Sequence, residues 1–118
     1  MKSSYDKVAP YVTRDGSEIR ELMHPAVHGN KAQSLAEATV APSAKTLLHR
    51  HRMTEEIYHF TAGEGVMTLG AEHFAVRAGD TIAIPPKTAH CVENTGSEPM
   101  KILCACTPAY SDGDTELL

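Results

Sequence analysis

HRHRMTEEIYHF, residues 49–60, combines three histidines and two glutamates with an alternation of polar and apolar residues. His49 and His51 are two residues apart, so on a β-strand both imidazoles point to the same face. The alternation resumes at Glu56, which puts Glu56 and Tyr58 together on one face of a second strand. The stretch therefore predicts two strands joined by a polar corner, with imidazole and carboxylate groups turned toward a common interior.

Short alternating runs separated by glycine or proline extend on both sides of this stretch. They cover residues 34–40, 66–69, 73–76, 81–84, 89–93 and 101–106. Many short strands with a turn signal every ~8–12 residues are typical of an all-β sandwich or barrel. The best helical window, Ser17–Met23, is short and stops at a His-Pro pair. The sequence therefore predicts an all-β fold. The pattern of strands and turns is least clear in residues 1–31.

Length and composition limit the class of protein. A chain of 118 residues with 42% hydrophobic and 22% charged residues is typical of one globular domain. The net charge of −4 without a basic run argues against a nucleic-acid partner. No apolar stretch suggests a membrane span or a signal peptide, and three cysteines argue against a disulfide scaffold. We therefore expect a soluble cytoplasmic protein with reduced thiols and no nucleic-acid or membrane partner.

A metal site is the chemistry that this pattern favours. The strand at residues 89–93 contributes His90, which joins His49, His51 and Glu56 on inward faces. Three neutral imidazoles and one carboxylate suit a first-row divalent ion, namely Fe, Mn, Ni, Co, Cu or Zn. Four such ligands leave two positions of an octahedral ion open, as catalysis requires. We expect one such ion per chain.

Two glutamates compete for the carboxylate position. Glu55 and Glu56 are adjacent, but Glu56 shares its strand face with Tyr58. We therefore prefer Glu56, with Glu55 as the alternative. Tyr58 points into the same interior, where it is a candidate general acid or base. The alternative for Tyr58 is a packed core residue with a hydrogen-bonded hydroxyl.

Two spaced motifs in this region resemble those of the cupin superfamily. The first is His49-x-His51-x(4)-Glu56-x(6)-Gly63, and the second is Gly79-x(5)-Pro85-x-Lys87-x(2)-His90-x(3)-Asn94. The resemblance implies a double-stranded β-helix, or jelly-roll barrel, with His49, His51, Glu56 and His90 as metal ligands in its bore. The chain is also similar to the small mannose-6-phosphate isomerase-like (cupin 2) group, a likeness that says little about the substrate.

The motifs depart from the family pattern at two turns. Ser43 stands where the first motif usually begins with glycine, and Lys87 stands where the second has glycine after Pro-x. Both are turn positions, so these departures bear on the local turn geometry more than on the identity of the ligands.

The sequence also leads to expectations for other interior and terminal residues. Cys104 and Cys106 are expected to be small apolar core residues with free thiols. The alternative is that the two thiols lie near the metal. Asp112–Glu116 is expected to be a solvated acidic end. The apolar candidates for the cavity wall are Phe60, Met67, Ile82, Ile84 and Val92.

These observations lead to two classes of function. The first is a metal-dependent enzyme acting on a small molecule, either a dioxygenase or a Lewis-acid isomerase, cyclase or lyase. The second is a non-catalytic cupin that binds or senses a small, sugar-like molecule. We prefer the enzyme. We also expect one cupin domain over residues 1–118, with its core barrel at about 32–107 and a homodimer interface formed by strands within residues 1–31.

Overall fold

The computed structural model describes all residues from Met1 to Leu118, and eleven strands supply most of its regular structure. The strands are β1 (Tyr11–Val12), β2 (Glu18–Met23), β3 (Ser34–Val40), β4 (His49–His51), β5 (Glu55–Ala62), β6 (Glu64–Leu69), β7 (Glu72–Arg77), β8 (Thr81–Ile84), β9 (His90–Asn94), β10 (Met100–Thr107) and β11 (Thr115–Leu117). A short helix, α1 (Pro25–His28), and 3₁₀ turns at Tyr5–Lys7 and Asp112–Asp114 complete the chain. Neither α1 nor the turns have the length and apolar character needed to cross a bilayer.

Two antiparallel sheets form the jelly roll. The first sheet has the strand order β1-β2-β3-β10-β5-β8, and the second has the order β11-β4-β9-β6-β7. Strands far apart in sequence are neighbours in both sheets, since β10 lies between β3 and β5 and β9 lies between β4 and β6. The all-β jelly-roll class predicted from the sequence is therefore confirmed.

The inward faces of the strands follow the predicted alternation. On β3, Ala36, Ala38 and Val40 are buried, whereas Leu35 is 39% exposed. On β5 the inward residues are Glu56, Tyr58 and Phe60, and the exposed Ile57 points outward. Strand periodicity read from the sequence thus gave the correct inner face of β5, and on β3 it separated the two faces without assigning the inner one.

The predicted cavity wall is wrong. Its residues belong to the closed hydrophobic core of the barrel or pack against it, and Phe60 and Met67 are fully buried there. The members concerned are Phe60, Met67, Ile84 and Val92 within the core, with Ile82 packed against it. Alternation identifies residues that face the interior, but it does not separate the filled part of a barrel from the open part.

The helical window at Ser17–Met23 is a strand. Glu18–Met23 forms β2 and pairs with β3, so that Ile19 lies opposite Ala38 and Glu21 lies opposite Ala36. Pairing with a strand that has its own partner on the other side outweighs the weak helical preference of six residues.

The acidic C-terminal segment is not a solvated end. Thr115–Leu117 forms β11 and pairs with β4, with Thr115 opposite His51 and Leu117 opposite His49. The Asp114 carboxylate accepts hydrogen bonds from the backbone N–H groups of Met53 (2.9 Å) and Thr54 (3.0 Å). The segment therefore holds both β4 and the corner that follows it.

Both turns that lack the family's glycine keep a left-handed backbone. Ser43 has φ of 67° and Lys87 has φ of 69°. Such a conformation costs a side-chain-bearing residue about 1–2 kcal/mol, so both turns carry some backbone strain. The Lys87 N–H donates to the His51 carbonyl oxygen (2.6 Å), which connects this turn to β4.

Candidate metal centre

Three histidines meet in the bore of the barrel. His49 and His51 are on β4, and His90 is on β9 directly opposite His49. All three are buried, and His90 is fully so. One ring nitrogen from each lies within 4.8 Å of the other two, which makes the triad a group able to hold a metal ion.

The Nδ1 atom of each imidazole is already engaged. His49 Nδ1 contacts the Leu47 carbonyl oxygen (2.8 Å), and His90 Nδ1 contacts the Thr88 carbonyl oxygen (3.0 Å). Because carbonyl oxygens only accept hydrogen bonds, these two Nδ1 atoms carry the proton.

The third imidazole is held by the C-terminal strand. His51 Nδ1 lies 3.0 Å from Thr115 Oγ1, whose own proton is donated to the Ser111 carbonyl oxygen (2.9 Å). The hydroxyl therefore accepts from His51 Nδ1–H. In all three rings Nε2 is left to face the bore, as metal-binding histidines require.

Glu56 turns its carboxylate toward these nitrogens. Glu56 Oε1 is 3.2 Å from His51 Nε2 and 3.5 Å from His90 Nε2, and Glu56 is 5% exposed. Burial raises the pKa of Glu56, but His51 and His90 in their protonated, charged form outweigh burial and lower that pKa to about 2, so a positive charge at this position keeps the carboxylate ionised. Glu55, the alternative considered from sequence, is exposed on the other face of β5.

The buried polar atoms of this centre are suited to binding a positive charge. Glu56 Oε1 and His90 Nε2 are buried and have no hydrogen-bond partner, although they face each other. Protonation of all three rings is unfavourable because like charges repel, and burial together with the nearby His90 lowers the pKa of His49. A divalent ion bound by nitrogen and oxygen donors relieves both problems, so these residues fit a metal.

Cys106 is part of this centre. Its thiol donates to Glu56 Oε2 (3.3 Å), which leaves Oε1 directed at the histidines. Burial and then the Glu56 charge raise the pKa of Cys106, so it stays a protonated thiol. The expectation that Cys106 only fills space is wrong, whereas the expected free state of all three cysteines is confirmed.

Half of the lining of the cavity beside the centre comes from the two ends of the chain. These residues lie in the segment from Tyr11 to Glu21 and at Tyr110 and Thr115, and strands β3, β4, β5 and β10 supply the other half. The lining residues are Tyr11, Thr13, Arg14, Asp15, Ser17, Ile19, Glu21, Ser34, Ala36, Ala38, His49, His51, Glu56, Tyr58, Cys104, Cys106, Tyr110 and Thr115.

Sequence analysis missed three residues that lie beside the histidines. Asp15 lies 3.8 Å from His49 Nε2, Tyr110 packs edge-on against His51, and Thr115 holds His51. Asp15-Gly16 has the sequence of a simple hairpin turn. The other two lie beyond the second motif, so neither motif spacing nor strand alternation could have assigned them to the site.

A family model matches the part of the chain that contains this centre. The model described as Cupin domain matches residues 36–106, which contain all three histidines and Glu56. The chain belongs to the cupin family. This cupin is 56% identical over 118 residues to the uncharacterized protein MJ1618 of Methanocaldococcus jannaschii, and the match covers 100% of the cupin and 94% of that relative.

Solved structures share the fold of this cupin. A predicted oxalate decarboxylase from Thermotoga maritima superposes with a TM-score of 0.80 at 24% identity, over 92% of the cupin and 99% of the other chain. The polyketide cyclase RemF from Streptomyces resistomycificus superposes with a TM-score of 0.79 at 19% identity, over 91% and 78% of the two chains. At these identities the likeness establishes the barrel and leaves the reaction open.

We expect Thr115→Val to weaken metal binding by about 10–100-fold, the usual effect of losing a group that orients a ligand. Valine cannot accept the hydrogen bond from His51 Nδ1–H, so the ring loses the contact that directs Nε2 into the bore. Thr115→Ser is the matched control because it keeps the hydroxyl. Chelator competition with Co²⁺ measures both affinities, and a folded Thr115→Val protein with wild-type affinity contradicts this role.

Proposed function

We propose that this cupin is a metal-dependent enzyme that acts on a small molecule by Lewis-acid chemistry, in an isomerisation, cyclisation or elimination. The observation that carries the proposal is the convergence of three buried imidazoles and the Glu56 carboxylate beside a cavity that Tyr58 also lines. Buried acceptor atoms without partners mark a site for a bound cation rather than a packed core.

The proposed ligands are His49, His51 and His90 through Nε2, and Glu56 through Oε1. A bound divalent ion supplies Lewis acidity at the edge of the cavity. The hydrogen bonds on the Nδ1 atoms orient the rings, and the Cys106 thiol orients Glu56. These contacts fix the donor atoms before any substrate arrives, which is what a preorganised site needs.

Tyr58 is the proposed group that handles a proton of the substrate. Burial, and next the Glu56 charge, raise the pKa of Tyr58 well above its ordinary value, so its hydroxyl is a neutral donor. Its ring packs edge-on against His90, with centroids 5.8 Å apart. A phenol held there donates a hydrogen bond to a substrate oxygen and stabilises negative charge that develops on it.

Non-oxidative chemistry is favoured over oxygen activation by the thiols of the cavity. Cys104 and Cys106 both line it, and Cys106 contacts the proposed ligand Glu56. Burial and protonation protect these thiols from oxidants in solution, but they would not protect them from an oxidant generated beside them, so Lewis-acid chemistry spares the cavity wall. We also propose a cytoplasmic location, where three free cysteines would stay reduced.

We expect the purified protein to take up about one first-row divalent ion per chain and, once loaded, to convert its substrate without oxygen. Elemental analysis measures the ion, and a screen of small molecules under anaerobic conditions measures turnover. His51→Ala should lose the ion, whereas His73→Ala, on an exposed position of β7, should keep it. Failure to take up metal contradicts the proposal, and an absolute requirement for oxygen would assign a dioxygenase instead.

We expect Tyr58→Phe to keep the fold and the bound metal and to lower kcat by about 10²–10⁴-fold, the usual contribution of a positioned acid or base. Tyr5→Phe is the control, because it removes a phenol hydroxyl on the exposed surface. If Tyr58 only packs the interior, the change leaves kcat within a few-fold and alters the free energy of unfolding by about 1 kcal/mol.

The homodimer is also part of the proposal, with its interface on residues 1–31. Support comes from β1, which is an edge strand of the first sheet and carries Val12 at 72% exposure. Unpaired edges favour association with a second chain. We expect light scattering to give a dimer mass at micromolar concentration and Val12→Asp to shift it to the monomer. Ile57→Glu, an outward position of β5, is the control, and a monomeric wild-type protein contradicts the interface.

A further inference from the structure

The turn between β1 and β2 brings a carboxylate to the three-histidine group. Asp15 Oδ2 lies 3.8 Å from His49 Nε2, the nitrogen that faces the bore, and the Asp15 side chain is 13% exposed. Two donors bound at about 2.1 Å to one octahedral ion lie about 3.0 Å apart at right angles and about 4.2 Å apart on opposite sides. The separations of Glu56 from His51 and His90, 3.2 and 3.5 Å, fall in the same range.

The orientation of Asp15 is built into the turn. Its other oxygen, Oδ1, accepts hydrogen bonds from Ser17 N–H (3.0 Å) and Ser17 Oγ (2.7 Å), and Ser17 is buried. These bonds leave Oδ2 directed at the centre. Gly16, with φ of 93°, permits the tight turn between them.

One residue links this turn to the first histidine. The Leu47 N–H donates to the Asp15 carbonyl oxygen (2.8 Å), and the Leu47 carbonyl oxygen accepts from His49 Nδ1–H (2.8 Å). The positions of the carboxylate and of the imidazole are thus set by a common segment of backbone.

We propose that Asp15 is a second carboxylate donor to the ion, so that the centre has three histidines and two carboxylates. This inference rests on the proposed metal site and extends it to a residue outside both cupin motifs. Two carboxylates neutralise the two positive charges of a divalent ion, whereas Glu56 alone would leave one.

The charge of the centre then restricts the substrate. A neutral ion site attracts an anionic group weakly, and Arg14, the only arginine or lysine lining the cavity, donates to the carbonyl oxygens of Asp112 and Thr115. Glu21 adds a further carboxylate with a buried, unpartnered oxygen. The substrate class is therefore a small molecule that presents a neutral or cationic group to this cavity, such as a hydroxyl, a carbonyl or an amine.

The test uses Co²⁺ and azide with the wild-type protein, Asp15→Asn and the surface control Asp6→Asn. Asparagine keeps the oxygen that accepts from Ser17 and removes the charge. We expect Asp15→Asn to weaken Co²⁺ binding at least about tenfold, to change the visible spectrum of the bound Co²⁺, and to bind azide about tenfold more tightly. Asp6→Asn should stay within twofold of wild type in both titrations.

The outcomes separate this inference from the proposed function. Wild-type protein that binds no Co²⁺ overturns the metal site and with it the role of Asp15. Wild-type binding that Asp15→Asn leaves unchanged, with the same spectrum and azide affinity, overturns the role of Asp15 alone. Should Asp15→Asn fail to fold, a crystal structure of the Co²⁺-loaded wild-type protein decides. An Asp15 oxygen within about 2.4 Å of the ion supports the inference, and a distance beyond about 3.5 Å overturns it.

Discussion

The structure depends on holding hydrogen-bond acceptors together in a buried space. Three imidazole nitrogens and the Glu56 carboxylate face one another in the bore, where Glu56 Oε1 and His90 Nε2 are buried without a hydrogen-bond partner. An uncompensated buried charge is strongly destabilising. The barrel therefore has to supply rigid support around the group, and a cation at its centre turns mutual repulsion into attraction.

That support comes from strands and turns distant in sequence. His49 is held through Leu47, His90 through Thr88, and His51 through Thr115 on the last strand. Each contact uses Nδ1, so the three rings present the same nitrogen to the bore. The antiparallel pairing of β4 with β9 and with β11 brings these supporting groups to one place. This pairing follows from the jelly-roll connectivity.

The strands and the histidine ligands could be predicted because each follows a pattern within a short stretch of sequence. Alternation of period two separated the two faces of β3 and gave the inner face of β5, and the family motifs gave the spacing of the ligands. Prediction failed where the decisive partner is remote in sequence. Ser17–Met23 became a strand only because β3 offers it an edge, Thr115 reached His51 only through pairing of β11, and half of the cavity wall came from the chain ends rather than from the apolar residues predicted to form it. A short stretch of sequence contains no pattern that predicts any of these contacts.

Half of the cavity wall lies outside the strands that carry the three histidines and Glu56. Those four residues lie on β4, β5 and β9, whereas β1, β2, the turn between them and the C-terminal segment supply that half of the wall. Changes of substrate preference during evolution can therefore accumulate at terminal positions that do not contact the histidines, such as Tyr11 and Ile19, while the central strands keep their sequence. The arrangement gives related barrels a way to diverge in what they accept while keeping the same four side chains, and it makes these terminal wall positions the natural target for redesigning selectivity.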